Sequence, residues 1–397
     1  MVRTPSDLDV WVLAGQSNMQ GAGWLEGALE PDDRVWSFTS AGEWEIAREP
    51  LHRLWESFTP VHQELLRAPM TEAQKLVSNE ERIRVDRATR RHGAGLGISF
   101  GKAMADALDR PIGLIPAAHG GSSLEQWRPE MKDLGGRSLY GAMLERIRKA
   151  GGRLRGVLWY QGESDAADAE LGRTYADRLD AWISALRSDT GVHELPVVAV
   201  QIGRIVEPPD RWKAWCGVDF VREALGTLPQ RVPHTAVTSA IDLAMADPFH
   251  LDTPSLIRLG RRLARLALGW VEGRTAPHGP SVVKLEWQPT PTGTLNGIRV
   301  SLQGVTGTWR QSHSIRGFDV RIPYPEHHEP LTVVNTWVDG SSGGNGRDLI
   351  VLLSRDAEEP ALLGYGLGAD PVCTLVDSAD MPLCAFLPRE ATSHIGT

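Results

Sequence analysis

Cysteine is scarce in this chain. Cys216, Cys373 and Cys384 are the three among 397 residues, too few for a disulfide framework and without the CxxC spacing of a metal site. The spacing permits a Cys373 to Cys384 bridge, but free buried thiols are the expectation. No run of eighteen apolar residues occurs, which excludes an ordinary membrane-spanning helix. The opening MVRTPSDLDVWVLAGQ breaks its apolar stretch too early for a secretory h-region. A soluble chain is expected, cytoplasmic by default and secreted if a leader has been removed. Basic residues are not in excess: 42 Lys and Arg face 50 Asp and Glu, for a net charge of −8. That balance favours solubility and argues against a nucleic-acid or anionic-membrane partner. Internal repeats and low-complexity tracts are also missing, and SSGGNG at 341–346 reads as a loop. Nothing in the sequence sets an oligomeric state.

What is present is a globular composition, 41% hydrophobic and 23% charged, in a chain longer than one core usually serves. Two domains are expected, 1–272 and 273–397. In the first, β-rich runs alternate with segments of helical period, the pattern of a parallel sheet covered by helices on both faces. The strand candidates are DVWVLAG (9–15), IGLIPAA (112–118), LRGVLWY (154–160), PVVAVQIG (196–203) and TAVTSAI (235–241). Helix candidates lie between them, and SLIRLGRRLARLAL places apolar residues at 256, 257, 259, 263, 266 and 268, close to one face. Residues 40–92 lack a clear strand and read as an insertion with some helix. After Glu272, TAPHGPSVV reads as a linker, and the alternating runs IRVSLQGV, FDVRIP, LTVVNTWVDG, DLIVLLS and LLGYGLG predict an antiparallel β-domain.

Open parallel sheets hold ligands beyond the carboxyl ends of their strands. Three ends are conspicuous there: GQSNMQG, AAHGGSSLEQW and QGESD. A backbone N–H beside Ser17 can face an oxyanion, and a flanking glycine relieves crowding. Taken alone, however, the segment reads as an Asn/Ser turn capping the next helix. A nucleophilic serine needs a base, and ADPFHLD places His250 three residues after Asp247, close enough for the carboxylate to fix the imidazole tautomer. The same residues also suit a capped turn with a surface histidine. Gly120, Gly121 and the Gln161 amide offer oxyanion donors, although a permissive turn and a polar strand end account for them equally. Trp127 suits sugar stacking or packing. Gln201 and Arg204 suit substrate contact or loop binding, and of Trp159 and Tyr160 at least one belongs to the core. His119 and Ser122 lie near the second strand end without a decisive role. A phosphate-cradling role for GQSNMQGAG is disfavoured because the Walker lysine and the GxGxxG order are lacking.

Together GQSNM, GLIPAAHGGSSLEQW, WYQGESD and DPFHLDTPSLIRLGRRLA resemble the SGNH/GDSL hydrolase superfamily, in its sialate O-acetylesterase-like branch, which overlaps carbohydrate esterase family 6. The resemblance implies a flavodoxin-like three-layer α/β domain with a parallel sheet, followed by a smaller antiparallel β-domain. It implies removal of acetyl groups from sugar hydroxyls, of the sialic acid or xylan type, without metal or cofactor. Carried over, Ser17 is the nucleophile, His250 the base and Asp247 its orienting acid. Ser17 N–H, one glycine of the 120/121 pair and Gln161 form the oxyanion hole. The chain has Gly15-Gln16-Ser17 where the wider superfamily has GDS, and Gln161 where it has asparagine, both features of this branch. Glu163 is the rival acid and a possible support for the third loop, with Asp242 and Asp252 as weaker alternatives; the tether to His250 favours Asp247. The alternative reading is a non-catalytic carbohydrate-binding protein on an esterase-like scaffold.

Overall fold

The computed structural model describes residues 8–207, 214–271, 279–288, 297–310, 314–321, 331–340, 346–354 and 361–392. Five of the strands are those read as β-rich runs: β1 (Asp9–Gly15), β4 (Ile112–Pro116), β5 (Arg153–Tyr160), β6 (Val197–Gln201) and β7 (Thr235–Ser239). They stand in the order β4-β1-β5-β6-β7 and all run parallel. Beside β4 lie two strands the sequence reading missed, β2 (Val35–Phe38), parallel to β4, and β3 (Trp44–Ile46), antiparallel to β2. The seven-stranded sheet thus runs β3-β2-β4-β1-β5-β6-β7. VWSF in β2 is four residues long and buried throughout, too short an apolar run to mark a strand by itself.

Residues 40–92 therefore contribute a sheet edge as well as helix, including α2 (Pro60–Arg67) and α3 (Asn79–Thr89). The helices that cover the sheet include α4 (Gly97–Leu108), α5 (Leu139–Ala150), α7 (Tyr175–Thr190), α8 (Val218–Gly226) and α9 (Thr253–Ala267). Helix α9 illustrates why these segments fold as they do. The Asp252 side chain accepts from Ser255 N at 2.8 Å, Pro254 occupies the first turn, and Leu256, Leu259, Leu263 and Leu266 share the buried face. Each such leucine contributes roughly 1.5–3 kcal/mol on burial. Gly260 lets α9 close on α4, since a Cβ there would lie 2.0 Å from Ser99 Oγ.

The C-terminal part forms two antiparallel sheets. One contains β8 (Ser281–Gln288), β9 (Gly297–Gln303), β11 (Val333–Val338) and β12 (Leu349–Leu353), in the order β8-β9-β12-β11. The other contains β10 (Phe318–Arg321), β13 (Leu362–Tyr365) and β14 (Phe386–Glu390), in the order β10-β13-β14. The expected linker ends sooner than read, because Ser281–Gln288 is a strand. The expected boundary at 272/273 and loop residues 341–345 fall outside the described residues. Cys216, Cys373 and Cys384 are free. Among the described residues no helix is long and apolar enough to cross a membrane.

Candidate active site

Strand β1 is flanked by β4 on one side and β5 on the other. The chain leaves it in opposite directions, and such a reversal opens a crevice beyond the carboxyl ends. Ser17 sits in that crevice at the start of the short helix α1 (Ser17–Gln20). Gly15 before it has φ +136°, and a Cβ there would stand 2.0 Å from Tyr160 O, so only glycine permits β1 and β5 to meet at this turn. Ser17 Oγ lies 3.0 Å from His250 Nε2, and His250 Nδ1 lies 2.8 Å from Asp247 Oδ2. If Ser17 donates to Nε2, Nδ1 carries the hydrogen and donates to the carboxylate. Asp247 Oδ1 also accepts from Phe249 N at 2.8 Å and His250 N at 2.9 Å, so one turn fixes both acid and base. Burial pushes the Asp247 carboxyl up, but the bonds from His250 and Phe249 outweigh it and hold the carboxyl below its ordinary range.

Asn18 ties this turn to the nucleophile. Its Nδ2 donates to Phe249 O at 3.1 Å and Glu163 Oε1 at 2.9 Å, and its Oδ1 accepts from Leu251 N at 3.1 Å. The residues on either side of His250 are thereby bound to the residue after Ser17. Glu163 opens the short helix α6 (Glu163–Ala166). Burial pushes its carboxyl up, against the lowering effect of the Asn18 bond. Gln16 Oε1 accepts from Gln161 Nε2 at 3.2 Å and from Gly162 N and Ser164 N at 3.3 Å, binding the first strand end to the third.

Gln16, Ser17, Gly120, Gly121, Glu163, Ser164, Trp215, Phe249 and His250 line an open cavity of about 370 Å³. Gly120 N–H donates to Gln20 Oε1 at 2.7 Å. The Ser17 and Gly121 N–H groups meet no acceptor among the described residues. Also among the described residues, no group of three His, Cys, Asp or Glu side chains is placed to hold a metal ion.

Residues 7–269 match the family model described as carbohydrate esterase, sialic acid-specific acetylesterase. The chain belongs to this acetylesterase family. A probable carbohydrate esterase of Arabidopsis thaliana is 33% identical over 183 residues, 44% of this chain and 64% of the relative. The chain thus spans about two thirds of that curated relative's length. A crystal structure of an Arabidopsis thaliana protein superposes with a TM-score of 0.50 at 26% identity, covering 66% of this chain and 98% of the other. A carbohydrate acetylesterase from Xanthomonas citri shares the fold, with a TM-score of 0.66 at 20% identity over 95% of this chain and 80% of its own.

Within this acetylesterase-family chain several residues stand elsewhere than the sequence reading put them. The Gln161 amide is fully buried; its Nε2 donates to Asp165 Oδ2 at 2.7 Å and Ser122 O at 3.1 Å, while Tyr175 Oη donates to its Oε1 at 2.8 Å. A carboxylate four residues along the chain draws the amide away from the cavity, since hydrogen bonds to ionised acceptors are the stronger ones. Trp127 is not a sugar platform, because it is fully buried, packs edge-on to Trp159 at 5.6 Å and donates to Ser122 Oγ at 2.9 Å. Gln201 is likewise buried, and it pairs with the backbone of Ala385 through Ala385 N to Oε1 at 2.8 Å and Nε2 to Ala385 O at 2.9 Å. It joins the main sheet to the C-terminal part and does not line the cavity. Arg204 pairs with Asp370 at 3.0 Å, Asp242 with Arg262 at 2.7 Å, and Asp252 caps α9. Trp159 and Tyr160 are both core. His119 Nδ1 lies 3.1 Å from His62 Nδ1, in the turn that carries Gly120. The sequence reading missed Asn18 as a clamp and Trp215 and Phe249 as cavity walls. Trp215 follows the carboxyl end of β6, which was signal enough to examine it.

Proposed function

We propose that this protein is a serine carbohydrate O-acetylesterase that releases acetate from O-acetylated sugars of the sialic acid or xylan type. The single observation that carries the reading is the row Ser17 Oγ, His250 Nε2, His250 Nδ1, Asp247 Oδ2, with contacts of 3.0 Å and 2.8 Å, opening on one cavity. Membership of the acetylesterase family supports the same chemistry. Ser17 Oγ attacks the acetyl carbonyl carbon while its proton passes to His250 Nε2. The tetrahedral oxyanion is met by the Ser17 and Gly121 N–H groups, whereas Gly120 is committed to Gln20 and Gln161 orders the third loop. The bond to the sugar oxygen breaks, that oxygen takes the His250 proton, and the acetyl group remains on Ser17. Water then gives a proton to His250 and attacks the acyl-enzyme; acetate leaves and Ser17 regains its proton.

The test is acetate release from a panel of O-acetylated sugars, with a serine-directed phosphonate as inhibitor. Ser17→Ala is expected to lower turnover by several orders of magnitude, about 10⁶ in a comparable serine enzyme. Near-normal turnover by purified Ser17→Ala refutes the scheme, and glycan binding without any turnover by the unaltered protein supports a lectin-like role instead.

A further inference from the structure

The cavity is larger than its reaction needs. A cavity needs about 10–15 Å³ to hold one water molecule, so one of about 370 Å³ has room for far more than a three-heavy-atom acetyl group. The remainder must receive the alcohol half of the ester, and its walls differ in chemistry. Ser17, Gly120, Gly121, Glu163 and Ser164 supply the polar side, and Trp215 and Phe249 supply the aromatic side. Phe249 is fixed in place: its N–H donates to Asp247, its carbonyl accepts from Asn18, and its ring stands 6.5 Å from the His250 imidazole. Trp215 packs against it with ring centroids 5.6 Å apart at 48°. Four other tryptophans, Trp11, Trp127, Trp159 and Trp182, are fully buried core residues, whereas Trp215 remains partly exposed. Trp24 is more exposed still, but its ring lies tilted against His92 with centroids 3.9 Å apart and does not line the cavity.

We propose that Trp215, backed by Phe249, is the platform on which the acetylated sugar ring lies while Ser17 attacks. The inference rests on the esterase reading and adds the subsite that recognises the sugar. A pyranose presents a face of C–H groups between equatorial hydroxyls, and such a face matches a partly exposed indole in the cavity wall. Its hydroxyls then turn toward the polar wall and solvent. A substrate without a ring forfeits this contact and retains only the acetyl contacts, so the platform discriminates between alcohols and leaves the chemical step alone.

The experiment compares the full-length protein with its Trp215→Ala and Trp215→Phe variants on two acetyl esters, an O-acetylated methyl glycoside and methyl acetate. Trp215→Ala is expected to raise KM for the glycoside by up to about tenfold, the scale of one good aromatic contact. Methyl acetate hydrolysis stays within about threefold, and Trp215→Phe restores most of the glycoside affinity. An equal loss on both esters overturns the platform and makes Trp215 a support for the His250 turn. No change on either ester overturns it too. Hydrolysis of methyl acetate but not of any acetylated glycoside by the unaltered protein refutes the platform while sparing the esterase chemistry, and hydrolysis of neither, with Ser17 inert to phosphonate, refutes both.

Discussion

Asn18→Ala separates folding from catalysis most sharply. The substitution removes one donor and one acceptor and leaves Phe249 O, Leu251 N and Glu163 Oε1 without their partner. A buried polar group left unpaired costs about 1–3 kcal/mol, so the two backbone groups beside His250 set an upper range of roughly 2–6 kcal/mol. The turn does not come apart, because Ala246 N still donates to His250 O at 2.8 Å, Asp252 N to Ala244 O at 3.1 Å and Val206 N to Pro248 O at 2.9 Å. What is lost is the link that sets Nε2 against Ser17 Oγ. A displacement of about 1 Å costs on the order of 10²-fold, so kcat on an acetyl ester is expected to fall about 10- to 100-fold with KM nearly unchanged. Asn18→Asp is the companion variant. It keeps an acceptor for Leu251 N but sets a second carboxyl against Glu163, whose own carboxyl burial already pushes up. Two carboxyls at this separation share a proton, so the activity lost in Asn18→Asp is expected to recover as pH falls. Steady-state kinetics across pH, with thermal melting on the same samples, provide the measurement. A melting temperature that falls while kcat stays within about twofold refutes the clamp as a positioning device.

The acid is tested by Asp247→Asn against Glu163→Gln. Asp247→Asn is expected to cost about 10²–10⁴ in kcat, since it removes the acceptor that fixes the His250 tautomer. Glu163→Gln is expected to retain most activity, because an amide replaces a carboxyl held toward its neutral form, and kinetics that reverse this order would make Glu163 the partner of His250. His119→Gln tests the histidine pair behind the second strand end. Burial holds His119 down to about 4, so between that value and the ordinary 6.5 the unfolded chain binds a proton that the folded chain does not. Stability is thus intact above 6.5 and lost as pH falls through this window, by about 2 kcal/mol at pH 5. The destabilisation caused by His119→Gln, read from chemical denaturation, is expected to shrink by that amount between pH 7.5 and pH 5, and an unchanged difference refutes the assignment.

Apolar β-rich runs, helical periodicity and turn chemistry were enough to read the five central strands and α4, α5, α7, α8 and α9, because the strands are unbroken apolar runs and the helices repeat a buried face over nine or more residues. They were not enough for Val35–Phe38 or Ser281–Gln288. The first is a run of only four residues, and the second opens inside a stretch that reads as a linker, where its pairing with Gly297–Gln303 is a contact the local sequence does not show. The same division runs through the candidate site. Ser17, Asp247 and His250 were candidates from local motifs, a serine in a turn after a strand and a carboxylate three residues before an imidazole, but each motif alone also read as a capped turn, and the resemblance of the four segments together gave them their roles.

The roles of the surrounding residues were decided by contacts between segments far apart in the chain. Gln161 was a plausible donor until Asp165 and Ser122 took its amide. Trp127 and Gln201 were plausible contacts until packing buried them against Trp159 and Ala385. Trp215 belongs to no motif, and only the folded chain brings its ring 5.6 Å from that of Phe249. Local sequence fixes backbone conformation through sterics and short-range hydrogen bonds, so it determined which residues could do chemistry here. Which side chains face the cavity depends on the partners that satisfy each polar group and cover each ring, and those partners meet only when the sheet is assembled.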